Sequence, residues 1–184
     1  MELKIILPNE NYKKQLKHIA QQLKNNPSPF DIRHAEKIVE LYEQDTIASY
    51  FQIAEKNSSI NQPEGRVPSS WIWIVSEGKI VAIADIRHML NDYLRNVQGG
   101  HIAYEVVPEF RGKGLMNKVG KLILKYARDN FGIHEALITC NIENMASHKT
   151  IVRLMNEMGG HPDTDTIVDD HIEKRYWVKT EKED

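Results

Sequence analysis

The stretch VVPEFRGKGLMNKVG, residues 106–120, leaves a β-branched run, passes a proline and two glycines set among basic residues, and enters a helical pattern. A turn of that kind between a strand and a helix leaves several backbone N–H groups without partners, and the helix dipole adds partial positive charge there. Glycines let the backbone approach an anion closely. The stretch therefore reads as a phosphate cradle, with Arg111 and Lys113 adding full charges. Spacing excludes two familiar cradles: there is no G-x-x-x-x-G-K-[ST], and a dinucleotide fingerprint starting at Gly112 needs a third glycine where Asn117 stands. What the residues match is R-x-x-G-x-(G/A), with Met116 at a position that pattern reserves for something small.

Outward from the loop, residues 101–107 (HIAYEVV) form the β-rich run before it, and Leu115, Val119, Leu122 and Tyr126 mark the inward face of the helix after it. Lys118, Lys121, Lys125 and Arg128 form that helix's outer, basic face. Further back, WIWIVSEGKIVAIADIRH (residues 71–88) reads as a β-hairpin turning at Ser-Glu-Gly-Lys. Before it, residues 57–70 hold two prolines and no periodicity, a loop of unusual length for a compact domain. Residues 3–7 form a short strand; Tyr12, Leu16, Ile19 and Leu23 recur at helical spacing; residues 34–56 read as further helix. Past the basic helix, EALITC (residues 135–140) is a buried strand, and residues 144–158 are a second helix stopped by Gly159-Gly160. The tail turns near Asp169-Asp170 into a last strand. The order β-α-α-β-β-β-α-β-α-β-β specifies an α/β fold with a mixed sheet, and no internal repeat appears.

Composition bounds the reading. A chain of 184 residues, 41% hydrophobic and 27% charged with a net charge of -2, suits one domain spanning residues 1–184 and names no partner by bulk charge. Charge is nonetheless uneven: residues 106–130 carry six Lys/Arg against two Asp/Glu. Without a nucleic-acid motif, the basic stripe is best read as a solvated helix face, so no nucleic-acid partner is expected. The eight histidines are scattered with no metal-ligand spacing, and no metal is expected. Cys140 is the only cysteine, which excludes an intrachain disulfide, and the quickly polar N-terminus and lack of a long apolar run point to a cytoplasmic protein with no membrane partner.

The loop, the hairpin before it, LITCNIENMAS after it and the Gly-Gly-terminated helix together resemble the GNAT N-acetyltransferase superfamily, which binds acetyl-CoA. The likeness runs over about residues 71–160, and KRYWV suits the superfamily's last strand. More narrowly, IRHMLNDYLRNVQGGHIAYEV resembles a group of bacterial predicted acetyltransferases. The resemblance implies a central, mostly antiparallel sheet flanked by helices. It implies acetyl transfer from acetyl-CoA to a primary amine, on a small molecule or a peptide, by direct attack within a ternary complex. The alternative is an inactive acyl-CoA-binding sensor or interaction module. The C-terminal strands could pair between subunits as a homodimer.

Residue by residue, the resemblance implies that backbone groups of Glu105, Val106 and Val107 pair with the pantetheine arm. Amides of Arg111, Gly112, Lys113, Gly114, Leu115 and Met116 would hold the pyrophosphate. Asn144 and Ser147 would contact the pantetheine, although Asn144 also reads as a simple helix cap. For the base, His101 is the first choice, since an imidazole accepts a proton at neutral pH; Glu105, on the same strand face, is its rival. A turn-proximal surface histidine is an equally good reading of His101. The tyrosine many members use as acid, seven residues after the Asn, is here Ile151; Tyr104 and Tyr176 are the weak substitutes. Arg87 and His88 read as a strand end within reach of an acceptor, and Cys140 as a small buried strand residue.

Overall fold

The computed structural model describes residues 2–28, 30 and 33–182. In chain order the elements are β1 (Lys4–Ile6), α1 (Lys13–Asn25), α2 (Arg33–Glu43), α3 (Ser49–Ser58), β2 (Ser69–Ser76), β3 (Lys79–Arg87) and α4 (Asp92–Asn96). Then come β4 (Ile102–Val106), α5 (Met116–Phe131), β5 (Glu135–Asn141), α6 (Met145–Met158), β6 (Gly160–Pro162), β7 (Thr166–Val168) and β8 (His171–Lys179).

Strands β1 to β4 form one antiparallel sheet in sequence order, and β5, β8 and β6 form a second, with β7 also on β8. Alternation along β2 and β3 separates two cores, because successive side chains leave opposite faces of a strand. Ile72, Ile74, Ala82, Ala84 and Ile86 join Val119, Ile123, Leu124 and Leu154 from α5 and α6. Trp71, Trp73 and Ile83 join Leu16, Ile19, Ile38 and Tyr50 from α1 to α3. Helices on both faces explain why β2 is buried along its whole length.

Several boundaries differ from the sequence reading. The helix expected over residues 34–56 is two helices, broken where Asp45 takes a left-handed φ of 52° and Thr46 N–H donates to the Leu41 carbonyl at 2.8 Å. That is the closing bond of a helix C-terminal motif, with an aspartate tolerated where glycine is commoner. Because α3 runs to Ser58 and β2 starts at Ser69, the connection is residues 59–68, shorter than expected. The short helix α4 was not expected; Asn91 caps it by accepting the Leu94 N–H at 2.9 Å. The basic helix, whose pattern reads from Lys113 to Arg128, starts at Met116, since the preceding glycines are left-handed.

The two sheets meet at the start of β4. There the His101 N–H donates to the Leu137 carbonyl at 2.7 Å, and the Leu137 N–H donates back to His101 Nδ1 at 3.0 Å. A Cβ on Gly100 would collide with the Leu137 carbonyl oxygen, so the chain enters β4 pressed against β5. Beyond that junction the sheets separate, and the far end of β4 is an open strand edge.

Candidate active site

The open edge of β4 is the starting point. Arg87 N–H donates to the His101 carbonyl at 2.8 Å and Val107 N–H to the Val81 carbonyl at 3.1 Å. With Glu105 opposite Ile83 and Ala103 opposite Asp85, the backbone groups of residues 101, 103, 105 and 107 are those turned toward β3. Those of Tyr104 and Val106 therefore face the gap. Of the three backbones expected to meet the pantetheine, Val106 alone presents its groups there. Glu105 and Val107 are turned to β3, and Val107 is fully buried among residues of α1 to α3.

A cavity of about 450 Å³ occupies the gap, bounded by Tyr104, Glu105, Val106, the whole loop from Arg111 to Met116, Asn144, Ser147 and Thr150. Gly112 and Gly114 have φ of 74° and 66° with nothing near a would-be Cβ, so conformation and not space demands glycine. No side chain caps the start of α5, which leaves its first-turn amides to an anion. Met116 bounds this cavity and also packs against the main core.

Arg111 is used differently from the expected phosphate contact. Its guanidinium bonds Glu105 Oε1 at 3.2 and 3.0 Å, and also the carbonyls of Val106 (3.3 Å) and Asn26 (3.1 Å). It braces the loop against β4 and α1. Burial pushes the Glu105 carboxyl upward, and the Arg111 charge pulls it back. The loop's other cation, Lys113, lies with its ammonium 4.9 Å from the Phe110 ring centre.

At the inner end of this cavity the Tyr104 hydroxyl meets Ser147 Oγ at 3.1 Å. Asn144 caps α6 by accepting the Ser147 N–H at 3.1 Å and so fixes that serine. Tyr104, Asn144 and Ser147, with Phe30, also line a second cavity of about 230 Å³ on the far side. The second cavity is walled by Arg33 and His34 of α2, Asp85 and Arg87 of β3, Ala103, Thr139 and Cys140, and by His171 and Glu173 of β8. Glu173 is buried, with Oε1 accepting the Thr139 hydroxyl at 2.5 Å, and burial holds its carboxyl above the usual range. Burial likewise pushes Tyr104 up to about 12 and Cys140 up to about 12, which makes the thiol unfit as a nucleophile.

His101 stands in neither cavity. Its ring is buried at the junction of the sheets, and burial, with Arg87 and Arg95 nearby, lowers its pKa to about 4. The neutral ring with Nδ1 unprotonated is what the Leu137 N–H requires. The expected base is thus a structural pin whose acceptor nitrogen is already occupied. Tyr176 lines neither cavity; its hydroxyl lies 2.6 Å from His148 Nε2. Ile151, in the usual position of the acid, is fully buried in the core. Arg87, read as a strand end within reach of an acceptor, is a wall of the second cavity. Sequence reasoning missed Asp85, although a charged residue inside the apolar run IVAIADIR was the available signal. Glu173 had no such signal, since its strand carries charges on both sides.

Comparison with known proteins decides the family. A family model described as the acetyltransferase (GNAT) domain matches residues 28–154. The chain belongs to the GNAT acetyltransferase family. It is accordingly an acyltransferase that draws on acetyl-CoA. No curated protein matches the sequence. Among solved structures, Mycobacterium smegmatis RimJ in complex with CoA-disulfide matches with a TM-score of 0.70 and 12% identity, over 96% of this chain and 81% of that one. RimL, a ribosomal L7/L12 alpha-N-protein acetyltransferase in complex with coenzyme A, matches at 0.65 and 12%, over 96% and 93%. The microcin C7 self-immunity acetyltransferase MccE, with acetyl-CoA and AMP, matches at 0.62 and 16%, over 97% and 92%. At these identities the likeness is one of fold. The GNAT fold accounts for the sheets flanked by helices, whose described pairings are all antiparallel and not mixed as the element order suggested. Among the described residues of this GNAT protein, no group of His, Cys, Asp and Glu could hold a metal ion, and no helix is long and apolar enough to cross a membrane.

Proposed function

We propose that the protein is an N-acetyltransferase that moves the acetyl group of acetyl-CoA to a primary amine by direct attack in a ternary complex. The observation carrying this reading is the pair of cavities sharing Tyr104 and Ser147: one is bounded by the glycine loop and the β4 edge, the other by polar and ionisable side chains. The first suits a pyrophosphate and an extended thiol arm, the second an amine. Structural neighbours that acetylate spermidine or a ribosomal protein support an amine as acceptor.

In this reading the amides of the loop, from Arg111 to Met116, hold the pyrophosphate, while Asn144 and Ser147 line the path of the arm. The Val106 N–H, turned into the gap, stabilises the oxyanion that develops on the thioester carbonyl. The attacking amine gives up a proton; Glu173, a buried carboxylate in the acceptor cavity, receives it. The thiolate leaves and takes a proton from the Tyr104 hydroxyl, which stands where the two cavities join. Glu105 holds Arg111 and shapes the cofactor side, and His101 keeps the apex of the gap closed.

The test is release of free thiol from acetyl-CoA with a broad panel of amines, repeated for Glu173→Gln. Turnover with a primary amine, together with loss of the acidic limb of the pH-rate profile in the variant, supports the assignment. Tight acetyl-CoA binding with no turnover for any amine would leave the acyl-CoA sensor as the correct reading.

A further inference from the structure

His34 and Asp85, which line one corner of the acceptor cavity, each carry a buried polar atom that no described group satisfies. Trp73 Nε1–H, a donor only, lies 3.0 Å from the Tyr50 hydroxyl oxygen, and that oxygen lies 2.7 Å from His34 Nε2. Tyr50 and Trp73 are fully buried, and His34 nearly so. With the indole N–H donating to it, the Tyr50 hydroxyl has one proton of its own, whose partner within reach is His34 Nε2. The ring proton of His34 must then sit on Nδ1. The opposite tautomer would strand a buried hydroxyl proton at a cost of about 1–3 kcal/mol. A cationic ring is excluded by burial, which lowers the His34 pKa to about 3. Among the described residues, His34 Nδ1 has no hydrogen-bond partner.

The second orphan is on the neighbouring strand. Asp85 Oδ1 is buried and, among the described residues, also has no partner. The two are close in the fold: the His34 ring stacks on Trp71 at 4.3 Å, and Trp71 is the cross-strand partner of Asp85. On its other side Asp85 faces Ala103, whose methyl leaves room, and His34, Asp85 and Ala103 all line the cavity.

Resting on the reading of this cavity as the acceptor site, we propose that the corner takes a neutral carboxamide carried by the acceptor amine, its carbonyl accepting from His34 Nδ1–H and its N–H donating to Asp85 Oδ1. A carboxylate in that place would confront the Asp85 carboxyl, and an ammonium would confront the His34 N–H, so both are selected against. A plain alkyl group would leave two buried polar atoms unpaired. Tyr50 and Trp73 are positioning residues: they touch no ligand and act by holding the His34 tautomer.

The experiment compares ω-amino amides (glycinamide, β-alaninamide, 4-aminobutyramide) with the amino acids and alkylamines of the same length, reading thiol release from acetyl-CoA. The expected result is a kcat/KM for one amide at least about tenfold above both its carboxylate and alkyl counterparts. That preference should collapse in Tyr50→Phe and His34→Phe with acetyl-CoA affinity retained. Equal turnover of an amide and its alkylamine counterpart overturns the subsite and leaves acetyl transfer standing. Should no amine be turned over, acetyl transfer itself fails, and nitrogen-15 spectra of the His34 ring decide the subsite. A proton on Nδ1 whose resonance moves on adding the amides to the acetyl-CoA complex upholds it; a proton on Nε2, or no response, overturns it.

Discussion

The Tyr104 hydroxyl and Ser147 Oγ, 3.1 Å apart, belong to residues that line both a cavity bounded by the glycine loop and a cavity walled by ionisable side chains. They come from the strand and the helix that the parted sheets hold on opposite sides of one gap. A hydroxyl at that point is placed to serve both cavities. If it protonates the departing thiolate, Tyr104→Phe should lower kcat by about 10²-fold or more while leaving the KM for acetyl-CoA nearly unchanged. Steady-state kinetics with an accepted amine check this, and an unchanged kcat would remove Tyr104 from the mechanism. Ser147→Ala should have a smaller effect, because it removes a partner and not the acid.

The loop offers a contrast between two neighbouring positions. Gly114 needs its left-handed φ of 66°, so Gly114→Val should abolish acetyl-CoA binding by remodelling the cradle, although space for the side chain exists. Met116 packs against the core, and Met116→Ala should bind acetyl-CoA at least as well while losing some thermal stability. Calorimetric titration with acetyl-CoA and a thermal melt separate the two effects. Normal binding by Gly114→Val would show that these amides are not the cradle.

Arg111 and Glu105 should behave as a unit. Arg111→Met leaves a largely buried carboxylate without its partner, which costs about 1–3 kcal/mol and frees the loop from β4. Chemical denaturation should show Arg111→Met less stable than wild type and the double variant Arg111→Met/Glu105→Gln partly restored. Additive losses would mean the two side chains are not coupled.

His101 makes stability depend on acidity. Its pKa in the folded protein is about 4 against about 6.5 unfolded, so the unfolded chain binds its proton first as pH falls. The contribution is fully present above about pH 6.5 and is lost progressively between there and about 4, amounting to a few kcal/mol. His34 acts in the same sense down to a lower pH, whereas the upward-shifted carboxyls Glu105 and Glu173 act in the opposite one. Denaturation midpoints measured across this window should fall less steeply for His101→Gln, whose side-chain oxygen still accepts from Leu137 N–H. An equal slope in both proteins would show that His101 titrates normally.

Much of the fold was legible because its signals are local. Alternation in residues 71–88, the helical spacing of Leu115, Val119 and Leu122, and the glycines of the loop each specify a backbone conformation by nearest-neighbour sterics and by which face must avoid water. The split between α2 and α3 was not legible, because an aspartate in a left-handed conformation leaves no trace as clear as a glycine does. The cofactor loop was readable as a unit for the same local reason.

What the chain determined by itself was therefore most of the strands and helices, the glycine loop and the family to which they belong. Tertiary structure alone decided the chemistry around them. It turned Glu105 and Val107 backbones toward β3, because pairing with β3 alternates along β4. It spent Arg111 on Glu105 and His101 on Leu137, because a buried charge or ring nitrogen is held by whatever partner the fold brings within 3 Å. It also assembled Tyr104, Asp85, Glu173 and His34 from four separate elements around one cavity, an adjacency that depends on how the two sheets part and that no spacing along the sequence records.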